Sequence, residues 1–365
     1  MSNRPKELDS KVLTIQDLEL EARKRLTDVV GGTTHPDCSL RDNELAYSRY
    51  KLRPRVLRDV DGVDASTTIF GTKVSFPFGF APAAAHRLAH PDGELATSRA
   101  AAKNNIPMCL SSWSSSSIEE VIAQGGQNPY AMQISFFRDV SITKRIIERA
   151  EAAGYKALFV SVDLPVLGHR LNESRNNFAF PDHMRFPVLA ESLEMGLDDT
   201  GSRVFDPSLR WDKTIPWLKQ NTKLEIWLKR VCAPGDVQLA IDYKLNGVII
   251  SNHGGRQLDG VPATLDTLRA CSPVAKGKIP LAIDGGIRCG ADVFKAIALG
   301  AKMCFVGRIP VWGLAYNGER GVDLAIKIIK EEFLRTMMFT GCKALSDISE
   351  DHLVVLEPNG RLSRL

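Results

Sequence analysis

Residues 281–308 read LAIDGGIRCGADVFKAIALGAKMCFVGR. Leu281–Gly285 is a short apolar run that ends in glycines. Ala291–Leu299 carries apolar residues at helical spacing, and Met303–Arg308 is a second apolar run. The stretch is therefore a strand, a helical crossover and the next strand. The same alternation extends back to about Phe76. Candidate strands are Phe78–Pro82, Met108–Trp113, Ala131–Phe136, Ala157–Asp163, Glu225–Val231 and Gly247–Asn252. Candidate helices between them are Asp92–Lys103, Ile118–Ala123, Ile142–Ala153, Asp236–Lys244 and Thr264–Ala270, and Gly321–Met338 follows the last strand. Eight strands, each followed by a helical crossover, predict an α/β fold of the (β/α)8 TIM-barrel type rather than an open doubly wound sheet.

Two segments depart from the repeat. Leu164–Thr222, between the fourth and fifth strands, is too long for a simple connection and predicts a loop over the barrel mouth with a small helix near Trp217. Ahead of the barrel, Ile15–Val29 reads as an N-terminal helix followed by a loop-rich lead-in. No low-complexity linker marks a second domain, so one domain is expected over 1–365, with the barrel proper at about 76–341.

The 365 residues are 44% hydrophobic and 25% charged, a globular composition, and the net charge is only +4. No long basic block is present, so neither a nucleic acid nor a membrane is an expected partner. Seven cysteines are scattered without a CxxC pair, which fits free thiols in a reducing compartment, and no metal site is expected. The N-terminus lacks an apolar signal core. Ser363-Arg364-Leu365 is a close variant of the Ser-Lys-Leu peroxisomal address, so a peroxisomal location is expected, and a cytoplasmic one otherwise.

In a barrel of this type the active site lies at the carboxyl ends of the strands. Those ends carry Ser111, Gln133, Ser161, Asp163, Lys229, Ser251, His253, Arg256, Asp284, Arg288 and Arg308. The densest cluster is Ser251-Asn252-His253-Gly254-Gly255-Arg256, where a titratable base and a fixed cation stand side by side. Histidine moves protons near neutral pH, and the arginine fork matches a carboxylate. Together with Asp163 and Arg170 this favours catalysis over a structural histidine. Asp284-Gly285-Gly286-Ile287-Arg288 and Gly307-Arg308 end the last two strands, where barrels commonly bind phosphate. The first of these turns opens a helix, whose backbone N–H groups could face the anion. Lys229 admits two chemistries: a Schiff base, as in barrel aldolases, or a positive charge beside a cofactor ring.

These residues resemble the FMN-dependent 2-hydroxy-acid oxidase and dehydrogenase family: glycolate oxidase, lactate oxidase and the flavin domain of flavocytochrome b2. The likeness runs from about residue 14 to the C-terminus. It is carried by LRPRVLRDV (52–60), APAAAHRLAHPDGE (81–94), LSSWSSSS (110–117), SVDLPVLGHR (161–170), SNHGGRQLDG (251–260), IDGGIRCGADVFKAIALGA (283–301) and VGR (306–308). The resemblance implies FMN as cofactor and His253 as the base, with Asp163 stabilising its imidazolium. Arg170 and Arg256 would clamp the substrate carboxylate, and Trp113 would line the substrate side. Ala81, Pro82, Ala83, Ser111, Gln133, Ser161 and Ser251 would face the flavin, with Lys229 beside its N1–C2 region. Asp284 would hold the ribityl chain, with Gly285 also at the cofactor, and Gly286, Arg288, Gly307 and Arg308 would hold the phosphate. A homotetramer is the implied assembly. Two tyrosines that commonly bind substrate in the family fall here on Val29 and Ser135, which points away from glycolate and toward a bulkier hydroxy acid. With a peroxisomal ending, O2 is the expected electron acceptor and H2O2 the product. The competing readings are a flavin-free, Lys229-dependent aldolase and an FMN-binding barrel that has lost its catalysis.

Overall fold

The computed structural model describes residue 9 and residues 11–26, 38–189, 204–357 and 359–365. Eight parallel strands close into a barrel: β1 Phe78–Phe80, β2 Met108–Leu110, β3 Tyr130–Ile134, β4 Ala157–Ser161, β5 Glu225–Val231, β6 Gly247–Ile250, β7 Leu281–Asp284 and β8 Ala301–Val306. Each strand pairs with its neighbour in sequence, and β8 closes onto β1 through Cys304–Phe78, Phe305–Gly79 and Val306–Phe80. All eight expected strands are present, most of them shorter at the carboxyl end, because the terminal residues turn out of the ladder to line the mouth.

Alternation along the strands decides what faces where. One parity supplies the residues of an interior core: Ala81, Cys109, Ala131, Ala157, Phe159, Trp227, Ile249, Ala282, Met303 and Phe305. The other parity, including Leu158, Val160, Ile226, Leu228, Val248, Ile250 and Ile283, joins the larger core under the helices. Small residues on some strands leave room for Phe159, Trp227 and Phe305, which interlock edge-on or tilted. The Trp227 indole N–H donates to Glu225 at 2.9 Å, so its one polar group is satisfied. A hairpin not anticipated from the sequence, Thr67–Ile69 with Thr72–Val74, adds Phe70 to this interior core, 5.9 Å from Phe159 and 5.7 Å from Trp227 between ring centroids.

The flanking segments differ from expectation in identifiable ways. The first helix spans Ile15–Arg23 and opens with a capping box, Thr14 and Asp17 bonding each other's backbone N–H, but ends before the expected Val29. Val29 itself lies outside the described residues. The last helix covers Arg308–Thr340 and is broken at Asn317 and Gly318, so the expected Gly321–Met338 stretch lies in its second arm. In the long connection after β4 a short helix, Leu171–Arg175, precedes the expected one, which covers Trp211–Asn221 around Trp217. Tyr50–Leu52 pairs antiparallel with Leu353–Leu356, which also pairs with Leu362–Ser363, tying the lead-in to the C-terminal residues. Among the described residues no helix is long and apolar enough to cross a membrane.

Interior packing is tight where β6 passes Trp227. A Cβ at Gly247 would lie 2.2 Å from that ring. Gly247→Ala is therefore expected to lower stability by about 1–3 kcal/mol through overpacking. Urea denaturation monitored by tryptophan fluorescence checks this, and an unchanged midpoint would mean that the ring can move aside.

Candidate active site

The interior parity that builds the barrel core continues one step beyond it. Ser111, Gln133, Ser161, Lys229, Ser251 and Asp284 each lie two residues after an interior residue of their strand, and all six are buried. They form a polar floor of two hydrogen-bonded groups, with Ser111 beside them accepting from Trp113 N at 3.1 Å. The Gln133 carbonyl accepts from Ser112 N and Oγ, both at 3.1 Å, and its amide donates to Ser135 Oγ at 3.0 Å and Ser161 Oγ at 3.2 Å. Lys229 Nζ lies 2.9 Å from Asp284 Oδ2 and donates to Ser251 Oγ at 3.0 Å, and Ser251 donates to Asp284 Oδ1 at 2.5 Å. An amine engaged by these partners is a fixed charge rather than a free nucleophile, which removes the support for a Schiff base.

Strict alternation would send Arg230 to the opposite side from Lys229. The ladder instead slips between Lys229 and Val231, and Arg230 takes a left-handed φ of 87°. This bulge lets two consecutive cations serve the mouth. Arg230 Nε lies 3.3 Å from Asp163 Oδ2, and its Nη1 donates to Ser251 O at 3.4 Å.

His253 Nδ1 is 2.8 Å from the same Asp163 oxygen. The histidine sits at φ 54°, followed by Gly254 and Gly255, also at positive φ, so the chain turns sharply as it leaves β6. Its backbone N–H is fixed by Ser251 Oγ at 3.1 Å. Desolvation holds the His253 pKa below its ordinary value against the opposing pull of Asp163, with Lys229 and Arg256 adding to the depression. The Asp163 carboxyl is held below its usual range although burial opposes this, because the charges of His253, Lys229 and Arg230 favour the carboxylate. With Asp163 on Nδ1, the Nε2 atom remains to act as a base.

The loop after β4 is laid directly on the loop after β6. A Cβ at Gly168 would lie 2.3 Å from Arg256 O, so only glycine permits this approach. Gln257 fastens it, donating to Asp163 O at 3.0 Å and Val166 O at 3.1 Å and accepting from Gly168 N at 3.1 Å. Arg170 and Arg256 are brought together as expected, and both contact Glu173, at 3.3 Å and 3.1 Å. Trp113 packs edge-on against Phe186, which packs against Phe180, and that ring against Phe178. Ser135 is buried and accepts from Gln133, so its hydroxyl belongs to the floor.

The phosphate expectation needs one correction. The helix after β7, Gly290–Ala298, is not open to an anion. Asp292 accepts from the N–H groups of Arg288 and Cys289, and Glu332 from that of Gly290. The Arg288 guanidinium is paired with Glu44 at 2.5 Å and lies over the Trp312 ring. Arg308 differs: it is half-buried and makes no ion pair or hydrogen bond among the described residues. Desolvation and the nearby Arg288 and Arg256 push its pKa down to about 10. A desolvated cation without an ion pair at the end of β8, with Glu44 and Glu19 acting on it only from a distance, fits a phosphate group. Ala81 is buried at the end of β1, with Pro82 and Ala83 half-buried beside it. No cluster of metal-ligating side chains occurs among the described residues.

Several positioning residues were not found by sequence reasoning. Asn43 and Asn252 exchange two hydrogen bonds of 2.8 Å, and Asp259 accepts from the N–H groups of Cys38 and Ser39. Both pin the helix Cys38–Arg49 to the loop that carries His253. These contacts join residues more than 200 positions apart, and no local pattern announces them. The pattern of Glu173 three residues after Arg170 was visible but went unread.

Comparison with known proteins agrees with this geometry. The family profile of the FMN-dependent dehydrogenases matches residues 21–355. Oxidase FUB9 of Fusarium oxysporum f. sp. lycopersici is 46% identical over 361 residues, covering 96% of this chain and 93% of the relative. 2-Hydroxyacid oxidase 1 of Homo sapiens is 42% identical over 355 residues, covering 93% and 96%. A solved structure of mandelate oxidase with benzoyl-formic acid superposes with a TM-score of 0.85 at 33% identity, covering 97% of this chain and 99% of that one. The chain belongs to the FMN-dependent dehydrogenase family and is an FMN-dependent oxidoreductase acting on 2-hydroxy acids.

Proposed function

We propose that the enzyme oxidises an apolar 2-hydroxy acid larger than glycolate to the 2-oxo acid, with His253 as base and O2 as acceptor. The observation that carries the catalytic reading is the 2.8 Å bond between His253 Nδ1 and Asp163. It leaves a neutral imidazole with Nε2 available for the substrate hydroxyl proton, and the carboxylate stabilises the imidazolium that forms. Arg170 and Arg256 hold the substrate carboxylate, which fixes the hydroxyl against Nε2. FMN, when bound, takes the two electrons that leave the substrate carbon.

This chain's residues suit that cofactor. Ser111, Gln133 and Ser161 offer hydrogen-bonding groups beside Ala81, Pro82 and Ala83 for a ring. Lys229 supplies positive charge for an electron-rich ring, and Ser251, Asp284 and Gly285 offer polar contacts for the ribityl chain. Gly286, Gly307, Arg288 (once released from Glu44) and above all Arg308 would hold the phosphate. Passing two electrons and two protons on to O2 gives H2O2. A peroxisomal site, read from Ser363-Arg364-Leu365, suits such a product, and a homotetramer belongs to the same proposal. The size preference is supported by the aromatic wall of Trp113, Phe178, Phe180 and Phe186 and by Ser135 standing where a tyrosine is common. Oxidase relatives and mandelate oxidase, whose solved structure holds benzoyl-formic acid, support the same reading.

Anaerobic mixing of the yellow holoenzyme with a panel of 2-hydroxy acids tests the substrate. Mandelate or a medium-chain acid should exceed glycolate at least about tenfold in kcat/KM, a difference of roughly 1.4 kcal/mol. Glycolate as the best substrate would sink the size argument, and failure of every acid to bleach the flavin would sink the function.

The acid limb of kcat/KM should lie below the ordinary histidine value of 6.5, because the neutral base is the active form and its pKa is depressed. Asp163→Asn removes the one influence that raises that pKa. The limb should then move further toward acid while kcat falls by about 10²–10⁴. A limb that stays in place would remove Asp163 from its role.

Arg308→Met should weaken FMN binding by about 10–100-fold, seen as flavin lost on dialysis. The same change should raise the melting temperature of the flavin-free protein, since it deletes a desolvated, unpaired cation. Unchanged flavin retention would assign the phosphate to other groups.

A further inference from the structure

The proposed mechanism asks Arg170 and Arg256 to hold a substrate carboxylate, yet the chain already places one of its own between them. Glu173 Oε1 lies 3.1 Å from Arg256 Nη2 and 3.5 Å from Arg170 Nη1, and Oε2 lies 3.3 Å from that same Nη1. The carboxylate is mostly buried, with a side-chain exposure of 18%. It stands on the short helix Leu171–Arg175, in the connection over the mouth, while Arg256 comes from the loop after β6. Arg170 Nε is buried and has no hydrogen-bond partner among the described residues, so this guanidinium retains donor capacity that Glu173 does not use.

We propose that Glu173 is a resident stand-in for the substrate carboxylate: it bridges the two arginines and is displaced when the hydroxy acid binds. This rests on the clamp role given above to Arg170 and Arg256. The physical reason is charge. Two guanidiniums brought this close repel each other, and Glu173 compensates that repulsion while the clamp waits. A substrate carboxylate entering beside Glu173 would meet a like charge at contact distance, whereas exchanging one carboxylate for the other keeps the local charge constant. The exchange also couples binding to movement of the connection, because the helix that carries Glu173 starts directly after Arg170. Substrate binding thus costs the breaking of an internal ion pair, and the affinity for small acids is set by competition.

A bridge that is displaced and a brace that merely positions the arginines make opposite demands. Glu173→Gln keeps size and hydrogen-bonding capacity and removes the charge. If Glu173 competes with substrate, the variant holoenzyme should bind 2-oxo acids on the order of tenfold more tightly. The probes are glyoxylate, pyruvate, 2-oxooctanoate and benzoyl-formic acid, followed by isothermal titration calorimetry. KM for the best hydroxy acid should fall in step, with kcat changed less than about twofold. Glu173→Ala, checked for an unchanged melting transition, should tighten binding in the same direction. Unchanged or weaker binding in both variants overturns the proposal.

Arg256→Met separates this from the underlying reading. Loss of binding in Arg256→Met with no change in Glu173→Gln leaves the clamp standing and removes only the stand-in. No effect of either variant on binding overturns both.

Discussion

The period of two along eight closed strands is the constraint on which the rest depends. Closure divides every strand into an inward and an outward parity, and the inward parity is filled by Ala131, Phe159, Trp227, Ile249 and their neighbours until no space remains. The next inward position on each strand has no partner layer above it and opens to the mouth. That position is where Ser111, Gln133, Ser161, Lys229, Ser251 and Asp284 stand. The barrel core and the polar floor are thus one pattern, with apolar residues where the barrel is closed and polar ones where it ends. The single slip, at Arg230, adds a cation without breaking closure.

Charge is the second organising quantity. Lys229, Arg230, Arg170, Arg256, Arg288 and Arg308 converge on the mouth against Asp163, Asp284, Glu173 and Glu44. The cations are in excess, and Arg308, whose pKa desolvation pushes down, is the one of the six without an ion pair among the described residues. A phosphate and a carboxylate are the two anions that 2-hydroxy-acid oxidation by FMN brings in. The protein therefore keeps its field prepared for its ligands. Desolvation lowers the His253 pKa while Asp163 raises it and orients the ring, so the two effects oppose each other in pKa but both suit the proposed base.

Position is supplied by elements far from the chemistry. The loops after β4 and β6 meet because Gly168 has no side chain and Gln257, from the loop after β6, bonds three residues of the other loop. The helix Cys38–Arg49 braces the catalytic loop from outside the barrel through Asn43 and Asp259. None of these residues carries the reaction, yet the distance between His253 and Asp163 depends on them.

The sequence by itself determined the repeat, the strands and the inventory of the mouth. Hydrophobic periodicity and polar residues at strand ends are local patterns, and they survive in one dimension. His253, Asp163, Lys229 and Arg308 were legible for that reason. The sequence also showed the loss of the tyrosine at Ser135, but not that the serine hydroxyl would turn to Gln133. Only the tertiary structure decided which charges neutralise one another. It turned the helix after β7 away from anion binding by capping it with Asp292 and Glu332, paired Arg288 with Glu44, left Arg308 without an ion pair, and set Glu173 between Arg170 and Arg256. These are choices among several acids and bases of similar chemistry. Electrostatic pairing depends on distances across the folded chain, and one-dimensional spacing does not contain them.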